Sequence, residues 1–387
     1  MHIQATQCRL AAPGMETSRL FLIADDLTGA LDSAAQFARP GKPVEVRWRA
    51  PASFAGARLA IDSATRELTS QQARSAVAAL VAALPQDANA LYYAKLDSLL
   101  RGHAGAEIAA WTFGLRPERC LIAPAFPFQN RVTRDGRQYF LHGGAWTPTQ
   151  TDLRDDLQRQ GLTVQLCRPG DAAPLGISLW DAACDADLAA VVAAGRAAGG
   201  PVLWCGSGGL AGALSATPQS AAAAVTALAG PVLGLFGTDH PVTMAQLDAC
   251  GDLALQIAAG DAVGAGRVRS RLRAAGVALV RLDLPDGLSR GEAAERIGRH
   301  MHDLVRSLDP PGTLVVAGGE TLRGLCLALE AEHLDLDGQL LPGVPSSTLR
   351  GGRFHGVRVI SKSGAFGESD FLRRLVAPAQ VPTQSPA

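Results

Sequence analysis

Residues 20–30 read Leu20-Phe21-Leu22-Ile23-Ala24-Asp25-Asp26-Leu27-Thr28-Gly29-Ala30. Five apolar residues in a row suit a strand buried on both faces, the kind that parallel sheets covered by helices require. Asp25 and Asp26 end the run, and an Ala-rich helical stretch follows to about Ala38. Strand, polar turn and helix together read as the opening of a βαβ unit.

The same rhythm recurs outward from there. Strands are expected at Val44–Trp48, Leu59–Ile61, Leu91–Ala94, Leu121–Ala123 and Val202–Cys205, with helices such as Ser70–Leu84 and Asp185–Ala198 between them. From Ser215 to Gly230 the pattern lapses into Ser, Thr, Pro, Gln and Ala, which reads equally as a linker or as an extra helix. A second series then begins with strand Val232–Phe236, a helix from about Val242, strand Val277–Leu282, helix Arg290–Leu308 and strand Thr313–Ala317. The expected fold is α/β, in two α/β domains with mostly parallel sheets. The 387 residues divide into a ragged tail over 1–18, an N-terminal domain over 19–215 and a C-terminal domain over 231–378.

Composition narrows the function. Lys+Arg and Asp+Glu both number 36, so no basic excess points to nucleic acid or to a membrane surface. No run of about 18 apolar residues predicts a transmembrane helix. The seven cysteines are odd in number and none is in CxxC spacing. They read as free thiols of a cytoplasmic protein, with no zinc site. Lysine occurs only at Lys42, Lys95 and Lys362, so 36 − 3 = 33 basic residues are arginine. A retained lysine marks a place where a compact ammonium does what arginine's fork does not.

Ligands of open α/β sheets sit beyond the carboxyl ends of strands, so the residues there matter most. After the first strand, one of Asp25 and Asp26 can cap the helix. The other is then available to accept a hydroxyl proton or to hold sugar hydroxyls. Lys95-Leu96-Asp97-Ser98-Leu99-Leu100-Arg101 packs two cations, a carboxylate and a hydroxyl behind the next motif strand. Arg101 there can clamp a carboxylate by two parallel hydrogen bonds. Pro124 to Pro127 forms a stiff turn that delivers Arg131. Near the C-terminus, Gly318-Gly319-Glu320-Thr321 follows a strand, with Thr321 able to cap the next helix. Lys362-Ser363-Gly364-Ala365-Phe366-Gly367 follows another. Two glycine loops of this kind suggest a nucleotide, since backbone N–H groups and a helix N-terminus cradle anions. Neither is a Walker A loop or a GxGxxG fingerprint.

In this order, from Leu20 to about Leu375, these segments resemble the landmarks of the four-carbon acid sugar kinases: the 3-oxo-tetronate, D-threonate and D-erythronate kinases. The resemblance implies an N-terminal sugar-binding domain, a C-terminal nucleotide-binding domain and an active site in the cleft between them. It implies transfer of the ATP γ-phosphate to a hydroxyl of a four-carbon sugar acid, with Mg²⁺. The acid would lie among Asp25, Asp26, Lys95, Asp97, Ser98, Arg101 and Arg131, with Asp26 as base or orienter of the hydroxyl. ATP would lie at Gly318, Gly319, Glu320 and Thr321 and at Lys362, Gly364 and Gly367. A further ATP contact of the family falls at Phe236-Gly237-Thr238-Asp239, where Thr238 keeps a hydroxyl but the family's serines are replaced. Leu99 likewise stands where the family usually has threonine. The metal ligands and the oligomeric state are left open, a homo-oligomer included.

Two rival readings remain. A non-catalytic relative would sense a sugar acid, and the altered Gly237–Asp239 turn motivates it. A nicotinamide-dependent dehydrogenase is disfavoured by the missing GxGxxG after either first strand.

Overall fold

The computed structural model describes residues 19–39, 41–54, 58–215, 228–258, 264–283, 287–288 and 290–377. The expected N-terminal tail, most of the expected linker and the last residues lie outside them.

The first half of the chain builds β1 (Leu20–Ala24), α1 (Leu27–Ala35), β2 (Val44–Arg47), β3 (Arg58–Asp62), α2 (Ser70–Ala83), β4 (Leu91–Lys95), α3 (Ala104–Leu115) and β5 (Arg119–Ala123). An insertion of β6 (Arg131–Arg134), β7 (Arg137–His142) and β8 (Ala145–Pro148) follows. Then come α4 (Leu153–Arg159), β9 (Val164–Cys167), β10 (Gly176–Trp180), α5 (Asp185–Ala197), β11 (Val202–Gly206) and α6 (Gly208–Ser215). The second half builds β12 (Val232–Phe236), α7 (Pro241–Asp248), β13 (Ala254–Ala258), α8 (Gly264–Ala275), β14 (Val277–Asp283) and α9 (Arg290–Ser307). It ends with β15 (Thr313–Ala317), α10 (Gly319–Ala328), β16 (His333–Leu341), β17 (Val344–Arg350), β18 (Arg358–Lys362) and α11 (Phe371–Val376).

The fold is α/β and mostly parallel, as the apolar runs require. One sheet passes through both halves in the order β13-β14-β12-β15-β18-β17-β16-β2-β3-β1-β4-β11-β5-β10-β9. The halves join where β16 pairs antiparallel with β2, in register Leu334↔Val46. Alternation splits each buried strand between two cores. Leu20, Leu22 and Ala24 face one core that continues through Leu334 and Leu336 into Leu314 and Val316 of the second half. Phe21 and Ile23 face a separate core confined to the first half. Val315 and Ala317 face its counterpart in the second. The continuous core on one face ties the two halves together.

Three antiparallel pairings separate β15 from β1, so the strands of the two halves run in opposite senses along the sheet. Twist changes what this means. At roughly 20–25° per neighbour, the steps from β15 to β1 accumulate about 120–150° of rotation. The carboxyl ends of β1 and β15 are thereby turned toward one another. Their helices confirm it by contact: a Cβ on Gly319, at the start of α10, would stand 2.5 Å from Thr28 Oγ1 in the first turn of α1.

Candidate active site

Adjacent parallel strands place the first cluster. Ala24 is in register with Asp62 of β3 and with Lys95 of β4, so the residues beyond all three strands meet. Asp26 caps α1: its Oδ1 accepts from Gly29 N–H at 2.7 Å. Gly29 leaves space that no side chain could share, since a Cβ there would lie 2.6 Å from Asp26 Oδ1 and 2.9 Å from Lys95 Nζ.

The organising residue is Arg66, in the loop after β3. Its Nε and Nη2 donate to the two oxygens of Asp25 at 2.8 and 2.9 Å, and its Nη1 donates to Asp26 Oδ2 at 2.6 Å. Asp97 Oδ1 stands 3.7 Å from the same guanidinium. Arg66 was not among the residues expected from sequence. The rule that selected the other motifs, polar residues directly after an apolar strand, applies equally to Asp62-Ser63-Ala64-Thr65-Arg66.

The β4 loop folds around Asp97. Its Oδ2 accepts from the N–H groups of Leu99 and Arg101 and from Arg101 Nε, and its Oδ1 accepts from Arg101 Nη2 at 2.7 Å. Arg101 was expected to clamp a substrate carboxylate, but here its fork is engaged with Asp97 and its side chain is 61 % exposed. Lys95, by contrast, is 5 % exposed and has no hydrogen-bond or ion-pair partner among the described residues. Arg131 donates to Ser98 Oγ at 2.9 Å and to Gln129 Oε1.

Burial and charge compete throughout this cluster. Burial pushes the Asp25 carboxyl up while Arg66 pulls it back. Burial would also raise Asp97, but Arg101, Arg66 and Lys95 hold it below the usual carboxylate range. Glu107, buried under the site and accepting from Thr65 Oγ1, is raised by burial and by the charge of Asp25. Asp62 is raised to about 7, chiefly by burial and in part by the like charges of Asp26 and Glu320.

The second cluster lies at the carboxyl ends of β12, β15 and β18, which are neighbours in the sheet. Gly318, at φ +100°, turns the chain from β15 into α10 and donates its N–H to the Lys362 carbonyl at 3.1 Å. No side chain caps α10. Thr321, expected as a possible cap, instead packs against Gly237, where a Cβ would meet its Oγ1 at 2.3 Å. Thr238 Oγ1 accepts from His240 N–H at 3.2 Å and lies 2.8 Å from where a Cβ on Gly364 would be. Thr243 Oγ1 donates to the Gly364 carbonyl at 2.7 Å and accepts from Lys362 Nζ at 3.0 Å. Lys362 is buried, which lowers its pKa to about 8. Gln246 holds the rest of the loop, its Nε2 donating to the carbonyls of Phe366 and Glu368 beside Gly367. The three glycine loops thus form one surface, with an uncapped helix N-terminus and a buried lysine in it. Glu320, in the first turn of α10, is exposed.

The two clusters meet at Thr28 and Gly319, and Asp62 of β3 reaches Arg323 of α10 at 3.6 Å. A separate cavity of about 400 Å³, lined by Gly230, Pro231, Arg269 and Pro310 among others, shares no residue with either cluster. It lies by the amino ends of β12 and β15, away from the strand ends where α/β sheets bind ligands.

Comparison with known proteins matches this division. Residues 20–159 match the family described as the sugar-binding N-terminal domain, and residues 268–372 match the nucleotide-binding C-terminal domain. The first span contains Asp25 to Arg131. The second contains both C-terminal glycine loops but not Thr238. The chain is 32% identical to a D-threonate kinase of Cupriavidus necator, covering 91% of this chain and 95% of that one. It is 28% identical to a D-threonate kinase of Bordetella bronchiseptica, with the same coverage. A 3-oxo-tetronate kinase of Pseudomonas fluorescens is 29% identical, again over 91% and 95% of the two chains. A solved structure of a Salmonella typhimurium protein shares the fold, with a TM-score of 0.71 at 19% identity over 92% of this chain and 98% of that one. So does a Haemophilus influenzae protein, with a TM-score of 0.68 at 18% identity over 92% and 99%. By its two matched domains and by full-length relatives up to 32% identical, the chain belongs to the four-carbon acid sugar kinase family.

Proposed function

We propose that this protein transfers the γ-phosphate of ATP to a hydroxyl of a four-carbon sugar acid. The observation that carries the reading is the contact of Thr28 with Gly319. It brings a cluster of carboxylates and a buried lysine against three glycine loops at a helix N-terminus, and phosphoryl transfer needs such a donor and acceptor within reach.

The acid's carboxylate goes to Lys95, a buried cation without a partner among the described residues, with Arg131 as a second cation held at Ser98. The phosphates lie on the loops at Thr238, Gly318–Thr321 and Lys362–Gly367, where uncapped N–H groups and Lys362 supply positive potential. During transfer the acid's hydroxyl oxygen bonds to the γ-phosphorus as the bond to the β-phosphate oxygen breaks, leaving ADP. Both Asp26 oxygens are engaged, by Gly29 and Arg66. That suits a carboxylate orienting the hydroxyl and sharing its proton more than one standing free as a strong base.

Among the described residues no group of three or more His, Cys, Asp or Glu is placed to hold a metal ion. A Mg²⁺ carried on nucleotide phosphates requires only one or two protein carboxylates, and Glu320 and the exposed Asp239 beside the loops fit that need. When bound, such an ion neutralises phosphate charge.

An ADP-release screen over threonate, erythronate and their 2-oxo and 3-oxo forms tests the reading. Release with at least one acid is expected. ATP that binds without being consumed with any of them would favour the sensor instead.

A further inference from the structure

The helix that follows the site's first aspartates carries one of its own. Asp32 lies on α1 three residues beyond Gly29, hence on the same helical face, and about 6 Å further along the axis than Thr28. Although Asp32 is only half-buried as a residue, its Oδ1 is shut off from solvent and neither carboxylate oxygen accepts a hydrogen bond among the described residues. A buried acceptor without a donor is rare in folded proteins and costly where it occurs.

Its surroundings explain the charge but not the vacant acceptor. Lys95 and Arg131 attract the carboxylate and Asp26 repels it, while burial pushes it up. Across from it is the start of α6, where a Cβ on Gly208 would stand 2.7 Å from Oδ2. A carboxylate placed merely to cap α6 would accept that helix's N–H groups, and this one accepts none. Lys95 is a buried residue whose Nζ lies over Gly29 on the same face and has no hydrogen-bond or ion-pair partner among the described residues. Lys95 and Asp32, the ammonium and the carboxylate, share one face of α1 without pairing with each other. A molecule presenting a carboxylate beside a hydroxyl would satisfy both.

We propose that Asp32 is a specificity-determining residue whose Oδ2, the oxygen not shut off from solvent, accepts a hydrogen bond from the hydroxyl next to the carboxylate of the sugar acid. This rests on the kinase reading and adds which part of the acid is read, and by what. The hydroxyl to be phosphorylated then lies toward Thr28 and Gly319, at the other end of the acid.

The test uses the full-length protein and compares KM for threonate and erythronate with KM for their 2-deoxy and 3-deoxy analogues. Wild type serves as the control for the kinase reading itself: if it consumes ATP with none of threonate, erythronate and their oxo forms, that reading and this one fall together, whereas activity with an oxo form alone overturns only this one. Given wild-type activity, Asp32→Ala should raise KM for the preferred acid roughly ten- to a hundredfold, the range of a hydrogen bond to a charged group. KM for the 2-deoxy analogue should stay within about twofold, because it lacks the hydroxyl that Asp32 reads. Asp32→Asn keeps a neutral acceptor and should show the same selectivity with a smaller shift, which covers the case of an alanine variant that does not fold. Equal losses for the parent acid and the 2-deoxy analogue, or no loss for either, would reduce Asp32 to charge compensation at α6. A loss selective for the 3-deoxy comparison would overturn the assignment to the hydroxyl beside the carboxylate.

Discussion

Gly319 and Thr28 belong to different halves of the chain, yet a Cβ on the glycine would stand 2.5 Å from the threonine Oγ1 and 3.3 Å from its backbone nitrogen. The two helices that begin there, α10 and α1, present their amino ends to the same region. Both ends favour negative charge, which is what a nucleotide brings.

Gly319→Ala tests this contact. The backbone at Gly319 does not lie in the left-handed region; that strain falls on Gly318, so alanine is tolerated conformationally at 319. The added methyl group must instead displace the Thr28 hydroxyl and crowd the Thr28 backbone nitrogen where α1 and α10 meet, at a cost of about 1–3 kcal/mol. ATP affinity measured by calorimetry should fall at least tenfold while the protein still melts cooperatively. Unchanged affinity in a folded variant would make the Gly-Gly-Glu-Thr turn a connection only.

Arg66 is the second test. Arg66→Met leaves Asp25 buried without its partner, and breaking a buried ion pair in this way costs about 3–5 kcal/mol. Asp25 would then be forced toward its protonated form, whose pKa already leans upward by burial. Its folded-state pKa rising above the unfolded value, the variant should lose stability as pH rises from the unfolded carboxylate value toward neutrality. Melting temperatures that stay parallel to wild type across that range would show that Arg66 does not hold Asp25 charged.

Asp26→Asn should lower kcat about a hundredfold or more while ATP binding persists, since the amide cannot share the hydroxyl proton or pair with Arg66. Turnover within about threefold of wild type would remove Asp26 from the reaction.

Lys95 and Arg101 make a contrasting pair. The exposed Arg101 spends its fork on Asp97, whereas buried Lys95 has no partner among the described residues. Lys95→Met should therefore raise KM for the sugar acid far more than Arg101→Lys does, and more than it raises KM for the neutral amide of the same acid. The reverse order would return the clamp to Arg101.

Lys362 gives a pH signature. Burial sets its pKa at about 8, below the ordinary 10.5. Between those values the unfolded chain holds the extra proton, so this residue's contribution to stability rises with pH across that window. Phosphate binding favours the charged ammonium and should draw a proton in when ATP binds at a pH slightly above 8. Calorimetry in two buffers of different ionisation enthalpy measures that uptake, and Lys362→Met should abolish it. Buffer-independent heats in the wild type would place the phosphates away from Lys362.

Much of this architecture was legible in the residues. Strands buried on both faces, such as Leu20–Ala24 and Thr313–Ala317, stand out as apolar runs, and the polar residues behind them mark the site. The junction was hidden because β16 is a half-exposed strand and β17, though mostly buried, is polar, so that Asp335, Ser346, Ser347 and Arg350 break any apolar run. The pairing of β16 with β2 joins Leu334 to Val46, 334 − 46 = 288 residues apart, and no local pattern reports it. Arg66 is a different case: the polar run after the apolar strand β3 marks its loop, but its partners are forty residues away, so the sequence does not show which carboxylates it serves. Asp97's hold on Arg101 was equally invisible, because sequence shows that a fork is present and not which carboxylate it serves.

Phosphorus NMR of the protein mixed with ATP, Mg²⁺ and each four-carbon acid in turn tests the central claim most directly. Transfer across the Thr28–Gly319 contact should produce a phosphomonoester resonance that grows with one acid in step with ADP, and that grows markedly more slowly with Gly319→Ala at an ATP concentration that does not saturate the variant. ADP accompanied only by inorganic phosphate, or no change with any acid in the series, would contradict it.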